Sequence, residues 1–232
     1  MIIRYSMLDE YTRCPASCKR KYIDGIKDPD TSATYYGRAL HLAIKTHFEG
    51  DDGLETFKMY WNSIKHLDIK YYRHDWDELN NLAVNTFLPN FFRLHASKYS
   101  NPIMEDQCEM PLFDDHLLQG TFDMVSDYEG VLTVSDWKTS TGLYKKDKIH
   151  KNPQLWLYTA LYRHKYGVLP KQIAYKVFVK SESRIQTFVT DVTEEKLALQ
   201  LGNCYSIVRS LLHSIETNNW FHSFECYCEG LK

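Results

Sequence analysis

The chain has 232 residues, 44% hydrophobic and 25% charged, a composition typical of a globular protein that excludes a disordered one. Its net charge of −2 excludes a uniformly basic nucleic-acid binder, so any surface for a polyanion must be a local patch. No apolar run approaches the length of a membrane span, and residues 1–25 lack the apolar core of a signal peptide. We therefore expect a cytoplasmic protein with no membrane contact, whose six cysteines are reduced or bound to metal.

The first hundred residues are predicted to be helical. Ser6 followed by Asp9 has the pattern of a capping box, which predicts a helix that begins there and ends near Ile23. Apolar residues at helical spacing continue after the loop around Pro29 and predict three more helices. Their expected ranges are 33–49, 54–66 and 76–98.

After Pro102 the pattern changes to the alternation that is typical of strands. Three strands joined by short turns predict an antiparallel meander, and a helix ended by Gly167 leads to two more strands and a final helix. The expected strands are 103–113, 117–127, 131–137, 172–180 and 184–191, and the expected helices are 152–166 and 193–218.

This order of elements predicts an α/β (α+β) fold, in which helices flank a mixed central sheet. We expect one domain over residues 1–232. Its expected parts are a helical region at 1–100, the sheet core at 101–192, and a last helix with a cysteine-bearing tail at 193–232.

Two carboxylates and a lysine lie on neighbouring strands of the meander. Asp123 follows Gly120 by three residues in one strand, and Asp136 and Lys138 lie in the next. Because a short turn joins these strands, the carboxylates can converge at one end of the sheet, where their oxygens would bind Mg²⁺ or Mn²⁺. Alternation places Lys138 on the same face as Asp136, where its ammonium group can orient a water for attack on a phosphodiester. The plainer interpretation is a solvated charge pair at a strand end.

Two helices carry further candidates. His41 follows Gly37 by four residues in the second helix; the glycine would allow a close backbone approach, and the imidazole is a possible third metal ligand. Gln154 and Tyr158 share one face of the helix after the meander, a face that can meet the site or nucleic acid. Each is also compatible with an ordinary structural role: a hydrogen-bonded histidine, or polar positions on an amphipathic helix.

In chain order, these features resemble the RecB-type branch of the PD-(D/E)XK nuclease superfamily, which includes the CRISPR-adaptation exonucleases and many small phage exonucleases. The resemblance covers nearly the whole chain, and it implies a restriction-endonuclease-like core. It rests on five motifs in sequence order: Leu8-x-x-Tyr11-x-x-Cys14-Pro15, Gly37 to His41, Gly120-x-x-Asp123, Asp136-Trp137-Lys138 and Gln154-x-x-x-Tyr158.

The resemblance implies a role for each matching residue. His41, Asp123 and Asp136 would bind Mg²⁺ or Mn²⁺, with the backbone carbonyl of Trp137 as a further ligand. Lys138 would orient the attacking water. Many relatives have Glu where this chain has Asp136, and the shorter carboxylate still binds metal.

The same resemblance extends to supporting residues. Gln154 and Tyr158 would support the site and contact DNA. Glu109, one strand before Gly120, falls where the family often has an acidic residue; it is a candidate peripheral contact or a plain surface residue.

A basic loop follows the Asp136–Lys138 strand. Lysines surround an aromatic residue there, which suits a loop that holds phosphates while Tyr144 stacks on a base. A solvated loop is the alternative. The candidate DNA contacts are Tyr144, Lys145, Lys146, Lys148 and Lys151. Phosphate contacts carry no sequence code, so this pattern predicts sequence-tolerant binding to DNA.

The cysteines leave a second metal centre open. Relatives often hold an iron–sulfur cluster between one Cys of the opening helix and three near the C-terminus, and Cys14 matches the first position. The customary spacing near the C-terminus is absent, so the fourth ligand would have to be Cys18 or Cys204, and Cys18 is the better candidate because it lies one turn from Cys14. The set Cys14, Cys18, Cys226 and Cys228 would then bind a [4Fe–4S] cluster or Zn²⁺. Cysteines buried without metal are the alternative.

The sequence thus predicts a metal-dependent deoxyribonuclease, and most plausibly an exonuclease that acts without sequence preference on single strands or DNA ends in recombination, repair or phage DNA metabolism. If the chain is phage-encoded, its location would be the host cytoplasm. One alternative is a nuclease-fold DNA-binding partner in recombination or CRISPR adaptation. The other is a structure-specific endonuclease, which would be expected to carry an extra recognition domain.

Overall fold

The architecture is a six-stranded mixed sheet with helices against both faces, and a computed structural model describes it for residues 1–113 and 115–223. The strands are β1 (Ile2–Arg4), β2 (Tyr99–Pro111), β3 (Leu117–Tyr128), β4 (Val131–Ser140), β5 (Gln172–Val179) and β6 (Arg184–Asp191). The α-helices are α1 (Tyr5–Arg13), α2 (Pro15–Cys18), α3 (Ser32–Phe48), α4 (Gly53–Ser63), α5 (Trp76–Leu82), α6 (Leu88–Leu94), α7 (Lys148–Lys151), α8 (Gln154–Tyr166) and α9 (Glu194–Thr217). Short π-helical segments at Lys19–Ile23 and Ala83–Phe87 and 3₁₀ turns at Ala96–Lys98 and Lys180–Glu182 complete the helical elements.

The sheet divides at β3. On one edge β3 pairs antiparallel with β2 along most of its length. Its other edge is shared: β4 pairs antiparallel with residues 124–128, whereas β1 pairs parallel with residues 117–119. Between these two partners, residues 120–123 face no strand of the described chain on that edge, so β3 and β4 separate there. β4 continues into a parallel pairing with β5, and β6 completes the sheet.

The predicted mixed sheet flanked by helices, including the β2–β3–β4 meander, is confirmed. Two apolar clusters hold the layers together. One lies between the sheet and α1, α8 and α9, and the other lies between the sheet and the helices α3 to α6. Residues 154–162 of α8 are all buried, because this helix is enclosed between the sheet and α9. None of the helices among the described residues combines the length and apolar character that crossing a membrane requires.

The N-terminal segment differs from its prediction in three ways. The short strand β1 was not predicted, and α1 begins at Tyr5, with Arg4 rather than Ser6 as the N-cap and no side-chain cap. The expected single helix to Ile23 is also wrong, because Cys14 has an extended backbone with φ −159° and ends α1. The residue before a proline is disfavoured in helical conformation, and Pro15 then begins α2 at the position where its missing N–H costs nothing.

The start of β2 also lies outside its predicted range. The strand begins at Tyr99, before Pro102, and its pairing with β3 shifts register between Ser100 and Ile103. A proline is tolerated there because β2 is an edge strand and the irregularity removes the need for an N–H donor.

Lys176 in β5 is fully buried without a carboxylate partner among the described residues. Its Nζ donates hydrogen bonds to the Tyr128 hydroxyl and to Thr187 Oγ1, both at 3.0 Å. Burial, and then the charge of Lys98, lower the pKa of Lys176 to about 8. Because the native state releases this proton at lower pH than the unfolded chain does, the group's destabilising effect is complete below pH 8 and is lost as the pH rises towards 10.5.

A Lys176→Met variant is therefore expected to have a higher free energy of unfolding at pH 7, by about 2 kcal/mol after the lost hydrogen bonds are deducted. The difference from the wild type should shrink between pH 8 and 10. Urea unfolding of both proteins at several pH values measures it, and the raised tyrosine pKa values nearby cancel in the comparison. A difference that stays constant over this range contradicts the prediction.

Candidate active site

The separation of β3 from β4 creates a recess at the middle of the sheet, and Asp123 lies at its inner end. The Asp123 Oδ2 atom accepts a hydrogen bond of 2.7 Å from the Trp137 backbone N–H, which joins the two strands beyond their last regular pair, Met124 with Ser135. On the opposite side, the β2–β3 pairing is interrupted at Glu105, whose φ is 47°. The Asp123 carboxylate is thus fixed where the pairing of β3 with β4 ends.

Asp136 and Lys138 lie on one face of β4, as alternation predicts. The Asp136 side chain is 2% exposed, and Lys138 Nζ lies 2.7 Å from its Oδ2. The Lys138 ammonium group is therefore in direct contact with Oδ2, which has no further donor among the described residues. This contact offsets part of the cost of burying the carboxylate.

His41 comes to the same place from α3. Its Nε2 lies 3.0 Å from the Trp137 carbonyl oxygen, and its Nδ1 lies 3.4 Å from Asp123 Oδ1. The imidazole therefore bridges two of the groups that the sequence predicted as metal ligands. Three elements that are distant in sequence, α3, β3 and β4, supply the predicted ligand set together.

The charges of the site shift one another's pKa values. Burial, supported by the nearby Asp123 charge, raises the pKa of Asp136 to about 6 despite Lys138. Burial alone would raise the pKa of Asp123 as well, but the charge and hydrogen bond of His41, with Lys138 and the Trp137 amide, lower it. Burial would lower the pKa of His41, but Asp123 and Asp136 outweigh it and raise that pKa to about 9. Asp136 and then Asp123 raise the pKa of Lys138, which stays charged.

Helix α8 is set against β3 by the absence of a side chain at Gly120. A Cβ atom there would lie 2.8 Å from Tyr158 Cε1 and 2.9 Å from Leu161 Cδ1, both far too close. The glycine of the Gly-x-x-Asp pattern thus brings Tyr158 close to the carboxylates, and the charge of Asp136 adds to burial in raising its pKa to about 12. Gln154 Nε2 donates to the Tyr158 hydroxyl at 3.0 Å, so the two predicted supporting residues act as one unit.

Gly37 has a different role from the one expected. Apart from its chain neighbours and the backbone of its own helix, no atom of the described chain lies within 4 Å of the position that its Cβ would take, so the glycine does not serve a close approach to another element there. It lines the pocket beside His41 instead. Its missing side chain leaves space on the open side of the site.

The active-site pocket has a volume of about 540 Å³ and lies between α3 and β4. Gly37, Arg38 and His41 line one wall, and Trp137 to Thr139 line the other. Arg38 is held by an ion pair with Asp30 at 2.6 Å. A pocket of this volume is in the range that encloses a small ligand such as a nucleotide.

Several groups near the site were not predicted. Glu105 lines the pocket and pairs with Lys45 at 2.8 Å, whereas the predicted Glu109 is exposed and pairs in register with Gln119, four residues before Asp123. Glu105 reaches this position because the pairing of β2 with β3 is interrupted there, and no sequence pattern predicts that interruption.

Two tyrosines were also missed. Tyr175 is the β5 register partner of Asp136, and its buried hydroxyl has no hydrogen-bond partner among the described residues. Tyr5 begins α1 and is close enough for its pKa to be influenced by Lys138. Their raised pKa values, caused first by burial, keep both neutral. A prediction that β5 pairs parallel with β4 could have placed Tyr175 beside Asp136.

The basic loop after β4 lies beside a further pocket of about 470 Å³, which Tyr144, Lys145, Lys148 and Lys151 line. Lys146 is exposed but does not line it. Tyr144 is held in place because its backbone N–H donates to Gln186 Oε1, and Lys148 Nζ lies 3.6 Å from its ring centre. One face of the tyrosine is therefore already covered by a lysine, and Lys151 pairs with Asp147 at 2.6 Å.

The cysteine hypothesis is only partly within the described residues. Cys14 and Cys18 are buried, whereas Cys226 and Cys228 lie outside the described residues. The Cys18 thiol donates to the Met7 carbonyl at 3.6 Å, and burial raises its pKa to about 12, which favours the thiol over the thiolate that a metal needs. The end of the described chain does run back to this region, because the Ala16 N–H donates to the Phe221 carbonyl at 3.1 Å.

The donors of the recess fit a hard divalent cation. No group of three His, Cys, Asp or Glu side chains in the described part of the chain, His41, Asp123 and Asp136 included, forms a ready metal site. Mg²⁺ does not require three such side chains, since it is usually held by one or two carboxylates and keeps several waters. Asp123, Asp136 and the Trp137 carbonyl supply such a set of oxygens.

Comparisons with known proteins identify the family and the fold. A model of the PD-(D/E)XK nuclease superfamily matches residues 5–216. A crystal structure from Eubacterium rectale, described as a putative exonuclease, is 16% identical, covers 100% of this chain and 89% of its own, and has a TM-score of 0.66. Rai1 of Scheffersomyces stipitis is 12% identical over 90% of this chain and 66% of its own, with a TM-score of 0.28, too low to carry an argument. A search of curated proteins found no match. At these identities the structural likeness shows a shared fold.

Proposed function

Because the chain belongs to the PD-(D/E)XK nuclease superfamily, we propose that it is a Mg²⁺- or Mn²⁺-dependent deoxyribonuclease that removes nucleotides from the ends of single-stranded DNA without sequence preference. The observation that carries the proposal is the meeting of Asp123, Asp136 and Lys138 where β3 and β4 separate. Together they supply the two carboxylates and the ammonium group that metal-dependent hydrolysis of a phosphodiester would use.

Each group has a distinct task in the proposed reaction. Asp123, Asp136 and the Trp137 carbonyl would hold the metal ion, which when bound polarises the phosphate and lowers the pKa of a water. His41 would complete this set once it has lost its proton. Lys138 remains charged, so its ammonium group can orient the attacking water and stabilise the negative charge that grows on the phosphate oxygens.

Tyr158 and Gln154 would act on the other side of the site. Their mutual hydrogen bond fixes the tyrosine hydroxyl near the carboxylates, and its raised pKa keeps the proton available for donation to a phosphate oxygen. The basic loop, with Lys145 and Lys148, would bind phosphates of the same strand by charge alone, which supports tolerance of sequence.

The pocket between α3 and β4 has a volume that can hold a nucleotide, which is compatible with a single strand at Lys138. The exonuclease assignment rests on the resemblance in sequence. A structure-specific endonuclease and a DNA-binding partner protein remain the two alternatives.

A comparison of linear and covalently closed single-stranded DNA tests the proposal. We expect the purified protein to degrade an end-labelled linear strand in Mg²⁺ or Mn²⁺ but not in EDTA, and to leave circular strands intact. Cleavage of the circle at a similar rate would show an endonuclease. Binding without cleavage of either strand, in both metals, would favour the partner-protein alternative.

The proposed [4Fe–4S] or Zn²⁺ centre at Cys14, Cys18, Cys226 and Cys228 is separate from this reaction. It would tie the first helices to the end of the chain, in agreement with the contact between Ala16 and Phe221. Visible absorbance with iron and zinc analysis of the purified protein tests it.

A further inference from the structure

A second and smaller pocket, of about 200 Å³, opens next to the active-site pocket. Ala33 lines both pockets, so they adjoin at the start of α3. The side chains that give the smaller pocket its polar character are those of Ser32, Tyr72, Arg73, His74, Thr141 and Lys180. We call it the Lys180 pocket. None of the motifs found in the sequence includes a residue of this pocket.

The Lys180 pocket is basic. Among the described residues, none that lines it carries a carboxylate, whereas the active-site pocket contains Glu105. His74 Nδ1 lies 3.6 Å from Oε2 of Glu78, a residue that does not line the pocket. Arg73 is exposed and forms no ion pair within the described chain. An anion entering this pocket would therefore meet basic side chains with no acidic neighbour in the wall.

Lys180 itself lacks a carboxylate partner. It is half-buried, and its Nζ lies 5.8 Å from the ring centre of Tyr36 without any hydrogen bond among the described residues. By contrast, Lys45 and Lys138 each have a carboxylate oxygen within 2.8 Å. Burial lowers the pKa of Lys180, as expected for an ammonium group that has lost water and gained no partner. A phosphate would supply that partner.

The position of Lys180 relative to the reaction is fixed by backbone contacts. Thr139 of β4 lines the active-site pocket, and Thr141, directly after the end of β4 at Ser140, lines the Lys180 pocket. The Ser181 N–H donates to the Thr141 carbonyl at 3.1 Å and holds the turn after β5 against the end of β4. Lys138 is the register partner of Val177, three residues before Lys180, so the backbones of the two lysines lie about 10 Å apart along the strand direction.

We propose that the Lys180 pocket binds a backbone phosphate of the single-stranded DNA substrate, on one side of the phosphate that is cleaved. Lys180 is the principal cation, and Arg73 and the hydroxyl groups of Ser32 and Thr141 complete the contact. This inference rests on the proposed function. It gives the substrate strand a direction across the molecule, from the active-site pocket over the start of α3 to the turn after β5.

The salt dependence of DNA binding tests the inference. We measure fluorescence anisotropy of a labelled single-stranded oligonucleotide in EDTA, where no cleavage occurs, at several KCl concentrations. Lys180→Met is expected to weaken binding about tenfold and to reduce the slope of log affinity against log salt by about 0.7, the value for one phosphate contact of a single strand. Lys180→Arg should restore the slope. Lys171→Met is the matched control, since Lys171 is an exposed lysine at the other end of β5.

A stability measurement separates this role from a structural one. Removal of a half-buried cation without a partner should leave the melting temperature of Lys180→Met unchanged or raised, while its DNA affinity falls. An unchanged slope in Lys180→Met, or an equal loss in Lys171→Met, overturns the inference. Failure of the nuclease proposal is visible separately, as absence of cleavage by the wild-type protein on the linear strand.

Discussion

An Asp136→Asn variant is expected to lose DNA cleavage by about 10³-fold in kcat while folding as stably as the wild type. The substitution keeps the shape of the side chain and removes the negative charge that a divalent cation needs. Burial already raises the pKa of this carboxyl to about 6, so the ionised group destabilises the fold at neutral pH, and a neutral amide relieves that cost. The substitution also removes the ion pair with Lys138, which lowers the stability of the variant.

The sign of the pH effect follows from the raised pKa. The protonated carboxyl favours the native state below pH 3.8, and this contribution is lost as the pH rises through about 6. Urea unfolding at pH 5 and pH 7 should therefore show a smaller decrease in stability for Asp136→Asn than for the wild type.

Asp127→Asn is the matched control for activity. Asp127 lies on β3, four residues after Asp123, and accepts a hydrogen bond from Asn101 away from the recess. It should cleave at the wild-type rate in single-turnover assays with Mn²⁺. If Asp136→Asn also cleaves within tenfold of the wild type, Asp136 is not a metal ligand and the site is wrongly assigned.

We expect Asp123→Asn to weaken metal binding, and Lys138→Met to slow the chemical step while metal binding is kept. Asp123→Asn should weaken Mn²⁺ binding at least about tenfold, since it removes one of two anionic oxygen donors. Lys138→Met should bind Mn²⁺ as well as the wild type or more tightly, since a positive charge close to Asp136 is gone. Its kcat should nevertheless fall about 10²- to 10³-fold, because the attacking water loses its orienting group. Calorimetric titration with Mn²⁺ and single-turnover cleavage measure the two effects.

The proton released when Mn²⁺ binds is an independent test of the same ligand assignment. Because Asp123 and Asp136 raise the pKa of His41 to about 9, the imidazole is protonated at pH 7 in the absence of metal. A ligand imidazole must be neutral, so Mn²⁺ binding should release close to one proton and weaken as the pH falls below 9. Titrations in two buffers with different ionisation enthalpies detect that proton. Loss of Mn²⁺ binding in Lys138→Met, or binding without proton release at pH 7, would contradict the assignment of these ligands.

The helices α8 and α9 follow their expected ranges closely, and α8 does so because Pro153 and Gly167 mark its two ends. The β2–β3–β4 meander was predicted from its short turns, although β2 begins four residues before its expected start. β1 was missed because three residues are too few for a pattern, and it exists only because β3 offers a free edge there. The capping box at Ser6 was wrong because the pairing of Arg4 with Gln119 ends β1 and lets α1 begin at Tyr5.

The sequence by itself determined which residues are proposed to carry the chemistry, because the order and spacing of Asp123, Asp136 and Lys138 on adjoining strands restrict where their side chains can point. Only the tertiary structure decided how those groups meet. His41 reaches the Trp137 carbonyl across 96 residues of chain, and no local pattern encodes such a contact. The pKa values likewise depend on burial and on distances between elements. The Lys180 pocket has the same origin, since it forms only where α3, β4 and the turn after β5 pack together.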